Sequence, residues 1–178
     1  MPTVHILYGF SEGPRKATRF LQALATAGFT IAQDAQQADV IVAHSGGCFI
    51  VPPTHAGQKV VLVGVPYSAS RQGFSAWRRN SAAIFATTRQ AGMAATVQYL
   101  WWSFVYICNM AANVRMLRGF LNHNIWQLQG NVVLVHNQRD FYSPPEDLPF
   151  VAKPKHVLLP GHHDDIWLHP QRYLSVLQ

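Results

Sequence analysis

The chain has 178 residues, of which 49% are hydrophobic and 12% charged, with 14 lysines and arginines against eight aspartates and glutamates. That length fits one domain, and the apolar content excludes intrinsic disorder. The +6 net charge lies in small separated groups (Arg15, Lys16 and Arg19; Arg71, Arg78 and Arg79; Arg115 and Arg118; Lys153 and Lys155), a solvated basic surface rather than a nucleic-acid footprint.

The first apolar run, Thr3–Tyr8, starts almost at the N-terminus without the basic-then-apolar order of a signal peptide. Residues 14–27 follow with helical spacing: Ala17, Phe20, Leu21 and Leu24 share one face, Pro14 suits the first turn and Gly28 the C-terminal cap. This leaves Arg15, Lys16 and Arg19 facing water. Further strand-like runs are Phe29–Ala32 (weaker), Val40–Ala43, Lys59–Val65, Asn131–His136 and His156–Leu159. Their continuous Val/Ile/Leu character suits strands buried on both faces of a parallel sheet. Residues 71–129 contain no convincing strand and form a helical insertion. Within it, Thr96–Leu121 is apolar almost all round, and its Trp101, Trp102, Phe104, Tyr106 and Phe120 either pack onto the sheet or wall a site. A short closing helix over 170–177 turns Tyr173, Leu174 and Leu177 inward.

This order predicts a single α/β domain over residues 1–178, a three-layer α/β/α sandwich on a mostly parallel sheet of five to six strands. Cys48 and Cys108 both lie in apolar stretches and read as buried free thiols. The apolar run Tyr99–Cys108 is about half of the roughly 20 residues a membrane span needs. A cytoplasmic monomer or homodimer without integral membrane association is expected.

In open α/β sheets chemistry gathers at the carboxyl ends of the strands. There the segment Ala43-His44-Ser45-Gly46-Gly47 puts a serine between small residues at both i−2 and i+2. A serine on a tight strand-to-helix turn needs small neighbours, because its flanking backbone is in close contact. Ser45 is therefore a candidate nucleophile, with helix capping as its alternative role. His44 packs under the turn. A serine hydroxyl needs a base, and the base an orienting acid. Of the eight acids, Glu12 and Asp34 lie in or near early loops, Asp39 sits at the wrong end of its strand, and Glu146 and Asp147 follow a Pro-Pro turn. Asp140, a few residues after the Val132–His136 strand, is the best placed. Candidate bases follow the next strand as the adjacent pair His162 and His163, with His163 favoured by its spacing to Pro170.

Tyr8-Gly9-Phe10 after the first strand, Ala43-His44-Ser45-Gly46-Gly47, Asp140 and Gly161-His162-His163 together make the chain resemble the α/β-hydrolase superfamily, in its short serine-hydrolase branch. Ala43 and Tyr8 stand where members commonly have glycine and histidine. The resemblance implies a minimal α/β-hydrolase fold with a small helical cap, and backbone N–H groups of Phe10 and Gly46 as the oxyanion hole. It implies cleavage of a small-molecule carboxylic ester through a Ser45, Asp140 and His163 triad, with His162 as the alternative base and no cofactor. A non-catalytic binding module and an acyltransferase on the same fold are the alternatives. The run His162, His163, Asp164 and Asp165 invites a metal reading, yet adjacent side chains rarely converge on one ion, and no metal is expected. Cys48, three residues past Ser45, is a weaker nucleophile.

Overall fold

A computed structural model describes residues 1–9, 12–65, 130–140 and 154–178, together with Leu128 and scattered positions from 82 to 104. Six strands form one sheet in the order β2-β1-β3-β4-β5-β6, every pair parallel. They are β1 (Thr3–Leu7), β2 (Thr30–Ile31), β3 (Val40–His44), β4 (Lys59–Val63), β5 (Asn131–Asn137) and β6 (Lys155–Leu159). The predicted sheet is therefore present, and its parallel character follows from the strands' composition. All five residues of β3 are buried, as are the last four of β4 and the last five of β5. Each fully buried Val, Leu or Ile contributes about 1.5–3 kcal/mol, so these central strands are the anchor of the fold. The edge strands β2 and β6 are far more exposed.

One face of the sheet packs Val4, Val42, Val61 and Val135 against Phe20, Leu24, Ile166, Trp167 and Tyr173. These come from helices α1 (Thr18–Thr26), α2 (Asp165–Leu168) and α3 (Gln171–Leu177). The other face packs Ile41, Ala43, Val60, Leu62 and Leu134 against Cys48, Phe49 and Val51. Helix α1 is shorter than its pattern predicts, because residues 14–17 form turns before it. Its end is as expected: Gly28 follows, and the Phe29 N–H reaches back to the Leu24 carbonyl at 3.0 Å. Lys16 departs from the water-facing expectation and turns inward. In α3, Tyr173 and Leu177 are buried as predicted.

Much of the segment 71–129, for which a helical insertion is expected, lies outside the described residues, including Trp102, Tyr106, Cys108, Arg115, Arg118 and Phe120, as do Glu146 and Asp147. Its described positions from 82 to 104 are largely helical. Trp101 and Phe104 are mostly exposed, so these two do not pack the helix layer onto the sheet. No helix among the described residues is long and apolar enough to cross a membrane.

Candidate active site

The extended chain of β3 reaches His44 and then reverses sharply. Ser45 has φ of +51°, and it is the one non-glycine residue with positive φ among the described residues. This left-handed conformation costs a residue with a side chain about 1–2 kcal/mol, so the surrounding packing must impose it. A short 3₁₀ segment, Ser45–Ile50, follows directly, and its capping position belongs to His44, without a side-chain bond. Ser45 is thus placed on the strained turn rather than as a helix cap. Gly47 explains the small residue at i+2: a β-carbon there would lie 2.7 Å from the Leu7 carbonyl carbon and 2.8 Å from the Tyr8 oxygen. Both are backbone atoms and cannot yield cheaply. Gly9 approaches from the other side, where a β-carbon would come within 2.8 Å of Ser45 Cβ. The loop after β1 is therefore packed directly on the serine turn. Gly46, the residue after the serine, is buried in this turn, whereas Phe10 lies outside the described residues.

Asp140 and His163 meet beyond the carboxyl ends of β5 and β6. His163 Nδ1 and Asp140 Oδ2 are 2.8 Å apart, and both side chains are buried. With Asp140 ionised, Nδ1 carries the proton it donates, which leaves Nε2 of the neutral ring as a proton acceptor. Several bonds hold the two loops in register. Asn137 Nδ2 donates to the His162 carbonyl at 2.7 Å, Tyr173 Oη donates to Asn137 Oδ1 at 2.8 Å, and the Arg139 N–H donates to the Gly161 carbonyl at 2.8 Å. Burial by itself would lower the His163 pKa, but the charge and hydrogen bond of Asp140, with smaller effects from Asp164 and Glu12, outweigh it and the net direction is upward. His162 is not bonded to Asp140. It is buried, both ring nitrogens lack a hydrogen-bond partner among the described residues, and burial lowers its pKa.

Gly64, just past β4, lies beneath this pair with φ of +59°. A β-carbon there would stand 2.9 Å from both Asp140 Oδ2 and His163 Nδ1. Gly64→Ala is accordingly expected to lose about 1–2 kcal/mol from the backbone conformation alone and to push the carboxylate and imidazole apart. The melting temperature is expected to fall, and an unchanged melting temperature would contradict this geometry.

A second polar cluster adjoins the first. The Glu12 side chain is buried and its carboxyl group takes part in four hydrogen bonds: with the Gly9 N–H and His44 Nδ1 on Oε2, each at 2.8 Å, and with Lys16 Nζ at 2.8 Å and Trp167 Nε1 at 3.0 Å on Oε1. Lys16 also pairs with Asp164 at 3.1 Å. His44 Nε2 donates to the backbone carbonyl of His163 at 2.9 Å. Burial pushes the Glu12 carboxyl up, but the charges of His44 and Lys16 and their hydrogen bonds hold it well below the usual glutamate range. Sequence reasoning set Glu12 aside as a loop residue. Its partners lie 32 and 155 positions away in the chain, and the lone local signal was Lys16 four residues later.

His44, His163 and Asp164 bring donor atoms within 4.8 Å of one another. This does not make a metal centre by donor chemistry, because both ring nitrogens of His44 and Nδ1 of His163 are already hydrogen-bonded. Cys48 is a buried free thiol whose Sγ donates to the Ala43 carbonyl at 3.3 Å. Burial raises its pKa strongly, which suppresses the thiolate a nucleophile would need.

A parallel sheet flanked by helices, with a serine on a strained turn after a central strand, is the arrangement of the α/β-hydrolase fold, and the chain has this fold. A thioesterase domain from the curacin biosynthetic pathway is similar with a TM-score of 0.59 at 15% identity, covering 99% of this chain and 90% of that one. An N-formylmaleamic acid deformylase from Pseudomonas putida is similar with a TM-score of 0.60 at 12% identity, covering 99% and 92%. An α/β-hydrolase enzyme from the metagenome of lagoon sediments at Mar Chica, Morocco, has a TM-score of 0.52 at 11% identity, covering 99% and 88%. Neither a protein-family model nor a curated protein sequence matches the chain.

Proposed function

We propose that the protein is a serine hydrolase of carboxylic esters with small or medium acyl groups. The observation that carries this reading is Ser45 held at φ of +51° on the turn after β3, a strained conformation of the kind that presents a nucleophile. The His163–Asp140 bond at 2.8 Å supplies the tautomer such a nucleophile requires. In the proposed reaction Ser45 Oγ attacks the acyl carbonyl while His163 Nε2 takes its proton. Asp140 stabilises the resulting imidazolium, and the oxyanion is met by the Gly46 N–H and, as the resemblance implies, that of Phe10. His163 returns the proton to the departing alcohol. Water, deprotonated by the same imidazole, then releases the acid from the acyl-enzyme. The residues supply every proton transfer, and the scheme uses no cofactor.

Hydrolysis of p-nitrophenyl esters of graded acyl length, followed against pH, tests this directly. Because His163 must be neutral to act as a base and its pKa is raised above 6.5, kcat/KM is expected to rise with pH through a midpoint above that value. No hydrolysis by folded protein would overturn the reading and favour the binding-module alternative. A rate without a rising histidine limb would contradict the role of His163.

A further inference from the structure

Asp140 fixes one end of the His163 ring, but a second set of bonds fixes the backbone that carries it. His44 donates through Nε2 to the His163 carbonyl at 2.9 Å and bonds Glu12 through Nδ1 at 2.8 Å. A carbonyl only accepts, so Nε2 must carry a hydrogen. The Nδ1···Oε2 contact joins the other side of the ring to the Glu12 carboxyl group. The same Oε2 accepts the Gly9 N–H at 2.8 Å. Gly9 lies against Ser45. One buried carboxylate thus ties the loop beside the nucleophile, the residue before the nucleophile and the backbone of the base.

We propose that Glu12 is a positioning residue for the hydrolase reaction, acting through His44 on the His163 backbone and through the Gly9 amide on the loop beside Ser45. This rests on the serine-hydrolase reading. The charged and titratable groups facing the pair are Lys16, four residues along the chain, His163 across the ring contact at a centroid distance of 4.9 Å, and Asp164, which pairs with Lys16. Trp167 closes the remaining side, its ring 5.0 Å from that of His44 and its Nε1–H on Glu12 Oε1. All four hydrogen-bonding positions of Glu12 are therefore filled. A glutamine of the same shape would turn its NH₂ group toward two of those partners, one or both of them donors that an oxygen alone can satisfy.

The test uses the full chain with Glu12→Gln, His44→Gln and His44→Phe. Glutamine at position 44 keeps a donor for the His163 carbonyl, and phenylalanine fills the space without one. Turnover is measured per active site titrated with a fluorophosphonate, so that misfolded molecules are not counted. Glu12→Gln and His44→Phe are expected to lower kcat about 100-fold, the scale of a small misplacement of reacting groups. KM should change less than about threefold, and His44→Gln should recover to within about tenfold of the parent. A second readout needs no substrate: the downfield proton resonance of the His163 Nδ1–H bond to Asp140 is expected to shift or broaden in Glu12→Gln and His44→Phe and to persist in His44→Gln. Parental kcat per titrated site and an unmoved resonance in Glu12→Gln would overturn the proposal, even with a lowered melting temperature. Equal activity of His44→Phe and His44→Gln would do the same. If the parent itself fails to react with the fluorophosphonate, the hydrolase reading fails, and an unmoved resonance still overturns the positioning role separately.

Discussion

Ser45→Ala is expected to reduce the proposed ester hydrolysis by at least about 10⁴-fold, because removal of the proposed nucleophile leaves only the binding and oxyanion contributions to catalysis. The variant also separates nucleophilic attack from mere binding. Ser45 is partly accessible in an otherwise buried segment, and alanine removes one oxygen without adding volume. Alanine at a positive φ is itself disfavoured, as the parental serine is, so the turn is expected to keep its shape. Thermal unfolding should stay close to the parent while activity disappears. A Ser45→Ala variant that retained even a tenth of the activity would move the chemistry to another residue.

Asp140→Asn is expected to cost on the order of 10⁴-fold in kcat. Asparagine can offer its NH₂ to His163 Nδ1, which would put the ring proton on Nε2 and leave nothing to accept the serine proton. In the other orientation it accepts from Nδ1 but cannot stabilise the imidazolium. The pH profile adds a signed check. Asp140 is the main influence raising the His163 pKa against the lowering effect of burial, so its neutral substitute should let burial prevail. Residual activity in Asp140→Asn should therefore switch on at lower pH than in the parent. A limb that stays in place, or moves upward, would show that Asp140 does not face the base.

The sheet was readable because β3, β4 and β5 are buried on both faces, which produces uninterrupted apolar runs such as Val40–Ala43. Strand ends were less readable. The Lys59–Val65 run continues past β4 because Gly64 leaves the sheet at positive φ while Val65 stays buried in the core. Ser45 and Asp140 were singled out from chain position, a serine between small residues and an acid just past a strand. Between His162 and His163, spacing to Pro170 favours His163 without deciding the matter. It turns on which way each ring points, and that is set by the Asn137 and Arg139 bonds across to the β6 loop.

Glu12 and Lys16 were misjudged for a different reason. Short-range patterning put Lys16 on the wet face of a helix, but it precedes α1 and joins two acids distant from each other in sequence, Glu12 and Asp164. Such networks depend on loops brought together only after the sheet closes, and no periodicity reports them. In residues 71–129 helical spacing leaves two roles open for the aromatics, and the exposure of Trp101 and Phe104 removes packing onto the sheet for these two.

The central claim is that Ser45 is the activated nucleophile. It is tested most directly by exposing the protein to a fluorophosphonate and locating the adduct by mass spectrometry of the intact chain and its peptides. One adduct per chain on the peptide carrying Ser45, absent when Ser45 is alanine, is the predicted result. No adduct on folded protein, or an adduct that persists in Ser45→Ala, would contradict the account.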